Sequence, residues 1–165
     1  MPIVDALLPE FDHEMTTTRK LLERVPDDKF EWQPHPKSMS LGRLSTHLAT
    51  LPWWGEVTLN QTEIDVAGSA QAAQAASRKE LLETFDKNVA KARAILVSKS
   101  DAEMMVPWSL KRGGQTIFSM PRVAVWRSFV VNHIIHHRGQ LSVFLRLNDV
   151  PVPSIYGPSA DEGTF

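Results

Sequence analysis

Apolar residues recur along this chain mainly at helical spacing. Val4, Leu7, Leu8, Phe11, Met15, Thr18 and Leu22 fall at i, i+3 and i+4 intervals, the stripe of a helix from about Ile3 to Val25 that Pro26-Asp27-Asp28 stops. A second pattern begins after Ser40, a good N-cap, and runs to about Thr62, with Leu44, His47, Leu48, Leu51, Trp54 and Thr58 on one face. Pro52 lacks a backbone donor and predicts a bend near Trp53-Trp54. Ser77-Arg78-Lys79-Glu80 fits a capping box at the start of a third helix, which ends near Val97. The fourth and longest pattern extends from about Pro121 to Leu147.

The connections carry different signals. Residues 26 to 40 hold Phe30 and Trp32, which cap one end of the core, and an extended Pro34-His35-Pro36. The Ala, Gln, Gly and Ser content of residues 65 to 77 predicts a loop, Gln71 included. Ser100-Asp101-Ala102-Glu103 can open one helical turn. Arg112-Gly113-Gly114, flanked by Trp108-Ser109-Leu110 and Gln115-Thr116-Ile117-Phe118, predicts a small hairpin or Gly-rich turn before the last helix. The tail, Pro151 to Phe165, wraps the body or frays. Four amphipathic helices with moderate connections predict an all-α four-helix bundle, as one domain spanning residues 1–165.

The chemistry concentrates in the last helix, at His133-Ile134-Ile135-His136-His137-Arg138-Gly139-Gln140. His133 and His137 sit about 40° apart and about 6 Å along the axis, a spacing at which two imidazoles share one metal. On a straight helical wheel they point inward, in the sector of Trp126, Phe129, Val130, Gln140, Leu141, Phe144 and Leu147; Arg127, Ser128, Arg138, Ser142 and Arg146 point outward. The pair His133 and His137 is preferred over His133 and His136, which sits on the flank. A core histidine with a satisfied hydrogen bond is the plain alternative for either residue. His47, on the inner face of the second helix, adds a third imidazole, and three neutral imidazoles suit a divalent transition metal such as zinc or nickel. His13 projects to solvent and His35 to a surface or pocket rim. A small-molecule pocket over the metal is expected to be lined by Trp54, Trp126, Phe129 and Gln140. Val131 and Ile135, beside Ser128, Gly139 and Ser142, predict an apolar outer strip that a second copy of the chain would cover.

Composition narrows the partners. With 165 residues the chain can bury a core without staples, and its formal net charge of −1 comes with no basic run, so the footprint of a nucleic-acid binder is missing. The absence of cysteine excludes disulfides, thiolate ligands and a cysteine nucleophile. Neither a signal-type N-terminus nor an apolar run of the ~20 residues that cross a membrane is visible, which predicts a cytoplasmic protein.

Thr46-His47-Leu48 in a second helix, followed much later by His133 to Leu141, resembles the DinB-like (YfiT-like) family of metal-dependent enzymes. The likeness extends from the first helix to Leu147, and its most specific part is H-x-x-H-H-R-G-Q. It implies a metal triad at His47, His133 and His137, an up-down-down-up bundle with a long crossover that residues 65–77 can supply, and a homodimer. It also implies a thiol-dependent S-transferase or isomerase chemistry with a low-molecular-weight thiol cosubstrate. A metal-dependent hydrolase and a non-catalytic metal- or ligand-binding bundle are the alternatives. Ile134 stands where a zinc protease helix carries its general base, which weakens the hydrolase.

Overall fold

A computed structural model describes residues 1–70 and 72–163; Gln71 of the expected loop and Thr164 and Phe165 of the expected tail lie outside the described residues. Helix α1 is Ile3–Leu22 and buries Val4, Leu7, Phe11, Met15, Thr18 and Leu22. Helix α2, Leu41–Thr50, starts where Ser40 Oγ accepts the Arg43 N–H at 3.1 Å. The single helix expected to reach Thr62 is two: α3 covers Trp53–Asn60. Pro52 has no N–H to return to the preceding turn, and the helix is interrupted at Leu51 and Pro52, where the bend was expected. Helix α4 is Arg78–Val97, its first turn closed by Ser77 Oγ accepting from Glu80 N and by the Glu80 carboxylate accepting from Ala76 N. The turn α5, Asp101–Met104, carries a complete capping box between Ser100 and Glu103.

Strands join these helices, so the all-α expectation is corrected to a mostly helical fold with a three-stranded sheet. Strand β1 is Glu63–Asp65, β2 is Pro107–Arg112 and β3 is Gln115–Pro121, in the order β1-β2-β3. The expected hairpin is β2–β3, turning at Gly113 and Gly114, whose φ of +59° and +78° suit a tight turn that other residues resist. Strand β1 lies parallel to β2, Ile64 beside Leu110. The Asp65 carboxylate accepts the Gly113 and Gly114 N–H groups at 3.0 and 2.7 Å and that of Ala67 at 2.8 Å, tying the turn to the far strand.

The last helical stretch has three parts: α6, Arg122–Val125; a π-helical segment, Trp126–Val131; and α7, Asn132–Leu147. A π turn closes i→i+5 bonds and advances less per residue than an α turn, so a straight wheel through this stretch loses phase. Within α7 the buried residues are Ile134, His137, Arg138, Leu141 and Leu145, a sector centred about 90° from His133. Several expected positions change with it. Val131 is 0 % exposed and belongs to the core, so the outer strip expected with Ile135 does not exist as drawn. Leu147 and Gln140, expected inward, are exposed.

Arg138, expected outward, is 1 % exposed. Its Nη1 lies 2.6 Å from the Glu14 carboxylate and 3.1 Å from the Glu14 carbonyl. The Tyr156 ring covers the guanidinium at 5.0 Å, and the Tyr156 hydroxyl donates to Glu14 at 2.9 Å. The tail therefore wraps the body here, as one of the two expectations had it.

Helices α1 and α2 each pack on α4 and α7, and α3 packs on α4. Their shared core contains Phe11, Leu44, Leu48, Phe85, Leu96 and Trp126, while Val57, Trp108, Leu110 and Val125 form a smaller core under the sheet. Gly55 lets α3 approach the last helix, since a Cβ there would meet Trp126 Cζ3 at 2.8 Å.

Candidate metal centre

Helix α2 brings His47, and α7 brings His133 and His137, to one point. His47 Nε2 lies 3.4 Å from His133 Nε2, which lies 3.0 Å from His137 Nε2. One ligand atom from each histidine falls within 4.8 Å of the others, a group that can hold a metal ion. His137 is buried and the other two are half-buried. They occupy the edge of the buried sector of α7 rather than its middle, so the rings touch both core and open space.

One of the remaining ring nitrogens has a partner that fixes its tautomer. His137 Nδ1 is 2.7 Å from Gln140 Oε1, an acceptor, so Nδ1 carries the proton. The Phe129 backbone beside the His133 ring favours its protonated form, against the larger lowering by burial. With Nδ1 protonated, His137 Nε2 presents its lone pair toward the triad, 3.0 Å from His133 Nε2. Such orientation of a ligating histidine by its second nitrogen is the usual arrangement in metal sites. The donor set fits a divalent transition ion on that ground.

Electrostatics keeps the rings neutral. Burial, then the neighbouring His137 and His133, then Arg43, push the His47 pKa down to about 4. Burial lowers His133 and His137 as well. A neutral imidazole has its lone pair available for a metal, so little proton release should accompany binding at neutral pH.

The same shifts predict a pH response. An imidazole with a depressed pKa binds fewer protons folded than unfolded, so stability is full above the ordinary value of 6.5 and falls as the pH drops from there toward about 4. Metal-stripped protein should melt at a constant temperature from pH 7 to 8 and progressively lower across that acid window. His47→Gln should flatten part of the slope. Equal slopes in the two proteins, followed by circular dichroism, would show that His47 is not the source.

A cavity of about 600 Å³ opens beside His47. Arg43, Thr46, Trp53, Trp54, Ile64 and Val66 are among its walls. Of the residues expected in the pocket, Trp54 lines it and packs edge-on against Phe129 at 5.2 Å, and Phe129 reaches His133 at 5.7 Å. Gln140 stands behind His137 rather than over the triad, with its amide nitrogen 3.3 Å from His136 Nε2. Trp126 has no exposed surface and lies in the core against Phe11. His136, His13 and His35 are exposed and outside the cluster. Sequence reasoning missed Arg43, Ile64 of β1 and Val66 just after it. Arg43 stands one helical turn before His47, a same-face spacing that could have found it; nothing local marked the strand.

A protein-family model described as the DinB family matches residues 2–164. Among curated proteins, one from Bacillus subtilis (strain 168), described as the uncharacterized protein YrdA, is 24% identical over 159 residues, covering 96% of this chain and 91% of that one. Among solved structures, a DinB-like protein from Bacillus cereus ATCC 10987 superposes with a TM-score of 0.72 at 24% identity, covering 92% of this chain and 97% of that chain. The DinB-like protein YjoA from Bacillus subtilis gives 0.68 at 19% identity, covering 88% and 95%.

Proposed function

The chain belongs to the DinB family, and from that membership we propose that it is a metal-dependent enzyme holding one divalent ion, zinc or nickel, at His47, His133 and His137. The reaction it serves is S-transfer with a low-molecular-weight thiol cosubstrate. The observation that carries this reading is the convergence of three neutral imidazoles beside an open cavity, with His137 Nδ1 already bonded to Gln140. A divalent ion there supplies Lewis acidity, which favours the deprotonated form of a thiol at neutral pH. The chain contributes the rest. Gln140 holds the His137 tautomer, and Trp54, backed by Phe129, supplies an apolar wall. With no cysteine in the sequence, the thiol must arrive with the cosubstrate.

Among the described residues no carboxylate joins the three histidines in the metal-competent group, and Ile134 follows His133. That lack of a general base favours S-transfer over metal-assisted hydrolysis. The deciding experiment pairs bacillithiol, mycothiol, glutathione or coenzyme A with a model electrophile on metal-loaded protein. Ester and amide hydrolysis are measured in parallel, with His47→Ala as the blank. Thiol-dependent turnover absent from the blank is expected. Thiol-independent hydrolysis absent from the blank would replace S-transfer with hydrolysis, and no metal-dependent turnover would favour a binding module.

The same reading takes the helical frame as an up-down-down-up four-helix bundle built from α1, α2 with α3, α4, and the stretch from α6 to α7. Their mutual packing supports it. It also includes a homodimer, supported by Val143 and Leu147, exposed apolar side chains one turn apart on α7. A monomer in sedimentation equilibrium at micromolar concentration would remove the dimer.

A further inference from the structure

We propose that the cavity beside the histidines receives a planar aromatic molecule, its ring seated in the corner between the Trp53 and Trp54 indoles. This rests on the reading of that cavity as the substrate chamber, and it names the substrate class by its ring.

The corner itself carries the proposal. Trp53 and Trp54 open α3, and both line the cavity. Their ring centres lie 5.2 Å apart with the planes at 68°. Consecutive residues on a helix project about 100° apart, so neighbouring indoles make two walls at an angle rather than a stack. A flat ring placed there lies face-on to one indole and edge-on to the other, the two arrangements that ring quadrupoles favour. A saturated ring of the same size has neither. The cavity, about 600 Å³, has the size of a small organic ligand's site.

The walls differ in how they are held. Trp54 is half-buried and braced edge-on by Phe129 at 5.2 Å, whereas Trp53 is 41 % exposed. Met39, also on the wall, is 42 % exposed. A ring that covers these two large apolar side chains removes their surface from water. The Met39 thioether can adapt to the ring edge, where sulfur is favoured. Ile64 and Val66 add aliphatic contact.

Much of the polar lining is already bonded within the protein. Thr46 Oγ1 accepts the Ala75 N–H at 3.0 Å, and Thr50 Oγ1 donates to the His47 carbonyl at 3.0 Å. Arg43 is engaged by the protein itself, with the Ala72 carbonyl at 2.7 Å among its partners. No carboxylate is among the described walls. Recognition of the ligand's body therefore falls to the apolar surface. His47 is at once a wall of the cavity and a member of the metal group. A substituent on the seated ring can thus reach the histidines, and the ring is its handle.

The test is an NMR titration of the full chain, zinc-loaded and metal-stripped, with two pairs of alcohols. One pair is 2-naphthalenemethanol and its decahydro analogue; the other is benzyl alcohol and cyclohexylmethanol. Zinc per chain is measured in every sample. At least one aromatic member should bind about threefold or more tightly than its saturated partner, the scale of an aromatic pair, and should shift the indole N–H signal of Trp53. Trp53→Leu, which keeps an apolar side chain but no ring, should remove most of that preference. Trp53→Phe should recover it, and zinc content should be unchanged in both. Equal binding within both pairs, or a preference undiminished in Trp53→Leu, overturns the proposal. Because the corner is built without the imidazoles, the preference should persist in stripped protein. Histidines that fail to bind zinc would sink the metal reading alone, and normal zinc without ring preference would sink this one alone.

Discussion

Replacing His47, His133 or His137 with alanine should each remove the metal from protein purified without a histidine tag, from close to one ion per chain to almost none. The three imidazoles meet within 4.8 Å and no other side chain joins them among the described residues, so two remaining ligands make a poor site. The loss should exceed the roughly 10–100-fold that removal of an outer hydrogen-bond partner costs a metal site, which is the effect expected of Gln140→Ala. His13→Ala and His35→Ala should keep the metal, since both residues are exposed and outside the cluster. Elemental analysis giving equal metal in all five histidine variants would show that the triad does not bind it.

Arg138→Met should be the most destabilising single change near the centre. The Arg138 and Glu14 side chains are only 1% and 8% exposed, 2.6 Å apart. Removing the guanidinium leaves the Glu14 carboxylate buried with the Tyr156 hydroxyl as its remaining side-chain partner. Breaking a buried pair from one side typically costs about 3–5 kcal/mol. For a chain of this length that is on the order of 10 °C in melting temperature. Removing both charges, in Arg138→Met with Glu14→Gln, should recover much of the loss, because the stranded charge and not the missing attraction dominates. Urea unfolding would decide it: a loss under ~1 kcal/mol for Arg138→Met, or a double variant no better than the single, contradicts this account.

How much of this was legible beforehand differs by element. The helix starts at Ser40 and Ser77 could be read because a cap is a local event: one hydroxyl, one amide three residues on. The triad was legible because a residue's rough face survives moderate error in phase. Val131 was misplaced because it lies in the π segment, where a straight wheel loses phase, and Arg138 because its partner is Glu14, far away in sequence. Burial of a charge is a long-range fact that no wheel contains. Strand β1 was missed for a similar reason. Three residues with one half-buried side chain carry almost no periodic signal, and the strand is defined by β2, beyond the whole of α4.

That parallel pairing also orders events in time. Strand β1 and strand β2 meet only across a loop holding α4 and α5, and closing a long loop is an entropic cost met before its contacts form. Local helices have no such delay. The bonds from Ser109 N to Thr62 O and from Val66 N to Lys111 O should gain protection in pulsed hydrogen exchange after the amides of α4 do. Ile64 on that late strand and Val66 just after it wall the cavity. A nascent chain thus carries its histidines on formed helices before it has a chamber to bind anything in.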